Sequence, residues 1–425
     1  MNFVDIVGGI KDFLTGLGVS LLLPIIITTM GLVFGQKLRT ALRAGLTLGA
    51  GFIALNLIIN LLIGQMVPVV NAMVENTGAN LDILDVGWGV AGAIAWGTTA
   101  GSLVILVCLA TNIAMLALKL TKTLNVDIWN FWNQAFTASV CYIASGSLAW
   151  GLVAAAVHTV YELWIADKTA KGVQEFYNLP GISIPHGWAV TSVPIIAGVN
   201  WVLDRIPYVK DIHWDESNIR EKWGIFGEPL FLGVLLGVGV GLFGGMWREP
   251  AKLLTLGITI GTAMILIPKI IGFFMEALTP IAESAKVFMQ KKFSGREFYI
   301  GLDSAVLIGH PVTVAAGIIL IPITLGLALI LPGNRVLPFG DLAATFYFVA
   351  MVPFMSKGNL FRSIICGAVI MTVVLYTCTF FGSSLTQMAT SIGYAIPEGA
   401  VEITGLSAGN WVAAVLFWIG KLFGA

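Results

Sequence analysis

The chain has few of the residues from which most catalytic and metal-binding chemistry is built. Its 425 residues include four histidines and four cysteines, and only 11% are charged. Cys108, Cys141, Cys366 and Cys378 lie in apolar stretches without CxxC spacing, which argues against a disulfide framework and against a zinc site. No P-loop, HExxH, GxSxG or paired-histidine pattern occurs, so neither a metal nor a cofactor is expected. The 23 lysines and arginines are balanced by 23 aspartates and glutamates, and no basic surplus points to nucleic acid.

What the chain has instead is apolar surface. Hydrophobic residues make up 57% of it and the mean hydropathy is +0.90, more than one soluble core of this size could hide. The charges cluster between apolar runs of roughly 17 to 25 residues, the length that crosses a bilayer as helix. The fold class expected is an all-α polytopic membrane protein. Residues 10–27 carry no small-residue cleavage site and read as the lead-in to a first span rather than a cleaved signal.

The sequence matches itself at a shift of 212 residues. Gly45, Thr47 and Gly49 face Gly257, Thr259 and Gly261; Pro68 faces Pro280; Gly89, Ala93 and Gly97 face Gly301, Ala305 and Gly309. GISIPHG, starting at Gly181, faces GYAIPEG, starting at Gly393, so His186 corresponds to Glu398. Two units are expected, 1–212 and 213–425. The first would place spans near 14–35, 41–64, 89–118, 128–146 and 148–166; the second near 226–246, 252–275, 301–331, 340–356 and 360–382, with a last span near 408–423.

Loop charge decides how 184–203 runs. With the N-terminus outside and this stretch re-entrant, 18 lysines and arginines fall inside and four outside; as a full span it leaves 10 inside and 12 outside. The expectation is therefore about 11 transmembrane helices in two inverted five-helix repeats. Each repeat ends in a re-entrant hairpin, near 184–203 and 396–407, and the C-terminus is cytoplasmic.

Polar groups at membrane depth are costly and mark substrate paths or pair with one another. Three places offer them. At a break in the third span, AWGTTAG brings Thr98 and Thr99, either as ligand hydroxyls or as caps of a kink; its twin, GLDSAVLIGHP, brings Asp303 and His310. DIWNFWNQAF sets Asn130, Asn133 and Gln134 at helical spacing beside Trp129 and Trp132. Amides there would bond hydroxyls and an indole face would cover aliphatic surface, or the tryptophans form an interfacial belt. The hairpin tips carry His186 and Glu398. His158 and Glu162, one turn apart, are expected to pair with each other.

With its two-unit architecture and the WGTT, WNQAF, IPHGW and GLDSAVLIGHP stretches, the whole chain resembles the galactitol-type membrane component, enzyme IIC, of the bacterial phosphoenolpyruvate-dependent sugar phosphotransferase system. The resemblance implies import of galactitol or a similar polyol or sugar across the inner membrane, coupled to phosphorylation. The phosphoryl group would come from a phosphocysteine of a cytoplasmic IIB partner, itself charged by a IIA protein, and no residue of this chain would be phosphorylated. Related ascorbate transporters imply a homodimer with a sliding, elevator-type core, and suggest Thr98, Thr99, Asn133, Gln134, His186, Asp303 and Glu398 as substrate contacts. Asp303 or Glu398 would orient the accepting hydroxyl and serve as its base. The residues alone also allow an ion-coupled secondary transporter of a polyol or sugar, with Asp303 and Glu398 as ion sites.

Overall fold

A computed structural model describes residues 19–77, 82–125, 128–214, 228–292, 297–338, 344–394, 396 and 400–423. Those residues are mostly helical, as the apolar runs require. Leu148–Tyr177, Pro311–Ile330 and Leu360–Ser391 are each long and apolar enough to cross a membrane, and several shorter apolar helices accompany them. The chain is a polytopic membrane protein.

Four helices form one group. α1 (Val19–Val33) packs on α2 (Leu38–Thr77), and further along the chain α9 (Pro229–Phe243) packs on α10 (Pro250–Lys292), while α2 and α10 lie against each other. At 40 and 43 residues, α2 and α10 are far longer than the spans the hydropathy suggests near 41–64 and 252–275. Lipid supplies no hydrophobic drive between helices, so close approach of backbones must do the work. Between α9 and α10 it does: a Cβ on Gly233 would sit 2.4 Å from Gly261 Cα, and one on Gly237 2.6 Å from Gly257 Cα.

The remaining elements form a second group around the buried polar residues. After β1 (Ile83–Asp85) come α3 (Gly87–Gly97), α4 (Thr99–Ser102), α5 (Val104–Ala117) and β2 (Thr123–Asn125). A 3-10 turn over Ile128–Phe131 leads into α6 (Trp132–Ser145), then α7 (Leu148–Tyr177), β3 (Ile182–Ser183) and α8 (Gly187–Leu203). The later part of the chain supplies β4 (Tyr299–Gly301), α11 (Ala305–Ile308), α12 (Pro311–Ile330), β5 (Val336–Leu337), α13 (Ala344–Phe348), α14 (Val352–Met355), α15 (Leu360–Ser391), β6 (Glu402–Thr404) and α16 (Trp411–Phe423).

The expected break in the third span falls at Thr98, which is extended between α3 and α4 and accepts a hydrogen bond from Gly101 N at 2.9 Å. Glycine is needed at 101, because a Cβ would lie 1.9 Å from Ala95 O. His310 interrupts the twin run in the same way and caps α12. Ser147 and Asn359 cap α7 and α15, again 212 residues apart.

The strands were not anticipated from the sequence. They form two parallel three-stranded sheets, β5-β1-β6 and β2-β4-β3. In each, the central strand follows a long helix, α2 or α10, and both flanking strands come from the other half of the chain. Arg335 clamps the first sheet, meeting Asp82 at 2.6 Å and Glu402 at 3.1 Å, and holds the Asp82 carboxyl below its usual range. Lys122 and Glu297, 2.7 Å apart, flank the second.

The stretch 181–203 enters and leaves at one end of α7. Gly181 N donates to Gln174 Oε1 at 3.0 Å near that helix's C-terminus. At the far end of α8, Asn200 reaches Met355 O and Ser356, and Gly358 lies against Phe176 of α7. Between them the start of α8 sits deeper, with Tyr161 Oη 3.4 Å from Val190 O. α15 begins beside this same end of α7, and its Phe380 and Phe381 pack on Phe417 of α16, whose Gly420 touches Trp150 near the start of α7. α7 and α15 therefore run in opposite directions.

The glycine contacts between α9 and α10 carry a prediction. Gly237→Val drives a branched side chain into Gly257 and is expected to cost about 1–3 kcal/mol, lowering the thermal midpoint of the detergent-solubilised protein. Gly239→Val, where a Cβ meets open space, should leave the midpoint unchanged.

Candidate functional site

The site is built on the turn from β3 into α8. Pro185 lies against Gly301 of β4, where a Cβ would sit 2.8 Å from its Cγ, so the tip is pinned to the second sheet. His186 then takes the N-cap position of α8 in extended conformation. Thr98, His310 and Asn410 spend their side chains capping α4, α12 and α16. His186 makes no such bond, and its buried ring is left for other work. Its Nε2 lies 3.9 Å from Asp303 Oδ2, and its Nδ1 has no protein hydrogen-bond partner.

α6 crosses directly beside this tip. Gly187 follows His186 with no side chain, because an added Cβ would fall 2.3 Å from Asn133 Cγ. Asn130, Asn133 and Gln134 are fully buried at helical spacing, the pattern that puts them on one face. Asn133 Nδ2 donates to Asn130 O at 3.3 Å. Asn130 Oδ1 and Nδ2, Asn133 Oδ1 and Gln134 Oε1 have no protein partner. A buried polar atom left unmade costs about 1–3 kcal/mol, so their concentration with His186 Nδ1 marks a place shaped for a polar ligand.

Aromatic rings wall the same place. Trp132 and Trp188 meet edge to face with centroids 4.9 Å apart, Trp188 stacks on Phe348 at 5.0 Å, and Tyr347 lies 5.8 Å from His186. Sequence reasoning left Trp129 and Trp132 open between interfacial belt and site; Trp132 is buried against Trp188, and the side chain of Trp129 lies outside those described. Trp188, Tyr347 and Ser304 were not singled out, although the IPHGW motif contains the first. Ser304 Oγ, next to Asp303, is buried without a protein partner.

The other expected residues divide. Asp303 is half-buried rather than isolated in the apolar interior: its Oδ1 accepts from Ala305 N at 2.7 Å while Oδ2 faces His186. Thr98 Oγ1 is fully engaged, bonding Ala95 O, Ser139 Oγ and Gly101 N, and of its two readings the cap describes these contacts. Thr99 is exposed at the start of α4. His310 packs on Phe176 and Tyr177, centroids 4.7 and 5.6 Å away, with Nδ1 accepting from Val312 N. Glu398 lies outside the described residues. His158 and Glu162 pair at 3.2 Å, as their spacing suggested, and Gln134 Nε2 also donates to Glu162. Among the described residues no cluster of histidine, cysteine, aspartate and glutamate could hold a metal ion.

Neutral amides, one imidazole and aromatic faces suit an uncharged, hydroxyl-rich molecule, and the comparisons agree with that chemistry. Residues 12–399 match the family of sugar-specific permease components of the phosphotransferase system. The chain belongs to that family. It is 40% identical over 412 residues, 96% of this chain and 94% of the other, to an Escherichia coli K12 protein named as a permease IIC component. To the galactitol-specific EIIC component of the same strain it is 37% identical over 384 residues, covering 90% and 85%. A galactitol-specific EIIC component of Escherichia coli O157:H7 matches to the same extent. As a IIC component it works in the membrane with a sugar substrate and the other phosphotransferase components, IIB among them.

The contact between Gly187 and Asn133 gives a direct check. Gly187→Ala pushes Asn133 from the tip and should lower sugar uptake by about tenfold or more, the loss expected when buried polar partners are displaced, in a protein that stays monodisperse. Gly198→Ala, on the same helix with open space around it, should transport normally.

Proposed function

We propose that the chain is the translocation subunit for galactitol, or a closely similar polyol or sugar, moving it inward for phosphorylation by a cytoplasmic phospho-IIB protein. The observation that carries this is the group of unpartnered amide atoms on α6 facing His186 across an aromatic wall. Amide oxygens accept from hydroxyls, amide nitrogens donate to them, and indole faces cover the carbon chain. The names of the two galactitol-specific relatives support the substrate.

Within this reading the two halves, 1–212 and 213–425, are inverted repeats, each with five spans and a re-entrant hairpin. The opposed directions of α7 and α15, the matching order of elements in the two sheets and the return of 181–203 to its starting end support it. α1, α2, α9 and α10 are the scaffold and the remaining helices the carrier, which slides as an elevator. Leu38, Leu42, Leu46, Ile53 and Leu57, exposed along α2, are apolar surface that a homodimer or lipid would cover. Loop charge supports an N-terminus outside and a C-terminus in the cytoplasm, with the chain in the bacterial inner membrane.

Asn133, Gln134 and His186 are the central substrate contacts, with Thr99 further along the path and Thr98 and His310 as the caps that shape it. Asp303 orients the accepting hydroxyl beside His186 and takes its proton during phosphoryl transfer; Glu398 is the second candidate for that role.

Right-side-out vesicles holding phosphoenolpyruvate and the cytosolic phosphotransferase proteins, given labelled galactitol outside with ion gradients collapsed, should accumulate labelled galactitol phosphate. Free galactitol gathered only when a gradient is imposed would favour ion coupling instead. In the same assay Asp303→Asn, which keeps the bond from Ala305 N, should lower phosphorylation by about 10²-fold or more while galactitol binding changes less than about threefold.

A further inference from the structure

The buried polar cluster joining α6, α7 and α16 constrains where its protons lie. Thr137 Oγ1 donates to Asn133 O at 3.0 Å. Toward His158 Nδ1, 2.8 Å away, it therefore accepts, and the imidazole proton sits on Nδ1. Asn410 Oδ1 accepts from Val412 N and Ala413 N at 3.0 and 3.3 Å, which fixes its amide and aims Nδ2 at His158 Nε2, 3.2 Å away. Nε2 is thus an acceptor and the ring is neutral. Glu162 Oε1 lies 3.2 Å from the same nitrogen. Oε1 makes no hydrogen bond there, and an ionised oxygen buried beside an acceptor nitrogen would have nothing to offset its charge, so the neutral acid is the form that fits. Its other oxygen accepts from Gln134 Nε2. The sequence of bonds ends at Gln134 Oε1, buried and without a protein partner.

We propose that Glu162, kept as a neutral acid by His158 and Asn410, is a positioning residue that fixes the Gln134 amide with its carbonyl oxygen toward the ligand. That position is then an acceptor only, and it selects a ligand hydroxyl that can donate. An amide free to rotate would present its NH2 just as well and would take a ligand oxygen or fluorine without a proton. Asn410, on the far half of the chain, sets the orientation of a group on α6 through His158. The proposal rests on the reading of Gln134 as a polyol contact.

Glu162→Gln preserves the pattern, since the new amide is neutral and accepts from Gln134 through its oxygen, with its NH2 set toward the acceptor His158 Nε2. Glu162→Leu removes the acceptor for Gln134. In full-length, detergent-solubilised protein, binding of labelled galactitol is measured together with its monodeoxyfluoro analogues, in which fluorine can accept and cannot donate. Wild type and Glu162→Gln should bind galactitol equally within about twofold, and both should reject one analogue by about tenfold or more, the cost of an unpaired buried acceptor. Glu162→Leu should lose galactitol affinity by about tenfold and reject that analogue far less. Loss of binding in Glu162→Gln equal to that in Glu162→Leu would overturn the proposal.

A second readout needs neither galactitol nor the leucine variant. The infrared difference between wild type and Glu162→Gln should contain the stretch of a protonated carboxyl; carboxylate bands in its place would overturn the neutral acid. Gln134→Leu separates the underlying reading: unchanged galactitol binding in that variant refutes the contact at Gln134 itself, whatever the infrared result.

Discussion

Away from water, a hydrogen-bonding group must find a partner in the protein or bear the full cost of losing its solvent, and that constraint shapes this chain wherever its helices are interrupted. Each interruption is answered. Thr98, His310 and Asn410 close the first turns of the helices they precede. Six short strands, which would expose their backbone if left as loops, pair into two parallel sheets. Asn112 brackets β2 by donating to Thr123 O and accepting from Asn125 N, and Asn334 does a similar task beside β5. At these places irregular backbone is thereby given partners among the apolar helices.

Against that background the exceptions gain meaning. Polar atoms without protein partners gather where α6 passes the tip of the β3–α8 turn, on Asn130, Asn133, Gln134 and His186. The surrounding rings of Trp132, Trp188 and Tyr347 keep the place apolar around those few directed groups. Gly187 and Gly301 hold the parts this close, the first against Asn133 and the second against Pro185. The site thus depends on small residues as much as on polar ones, and the sheets and caps hold the geometry that a ligand would read.

Much of the architecture was legible because the forces that set it act on long runs of sequence. Helices occupy the apolar runs, and the third run breaks at Thr98. The strands escaped because two or three residues are too short for alternation to register, and their pairing is decided between segments up to some three hundred positions apart. Residue roles were less legible than residue places. WNQAF announced amides, but only the fold shows that Gln134 spends its NH2 on Glu162 while Asn130 and Asn133 keep free atoms. Thr98 and His310 looked like ligand groups and are occupied as caps, whereas nothing in the sequence tells which of several N-cap residues, here His186, will leave its side chain uncommitted. Tyr347 reaches the site from a helix of the other half, a contact no local pattern encodes.

The account stands on the claim that these unpartnered atoms are the ligand's. A structure of the full-length protein with galactitol bound, determined in lipid, tests that claim most directly. The account predicts ligand oxygens within hydrogen-bonding distance of the Asn133 and Gln134 side-chain oxygens and of His186 Nδ1, with Trp132 or Trp188 against the carbon chain. Galactitol seated elsewhere, with those atoms satisfied by ordered water alone, would contradict it.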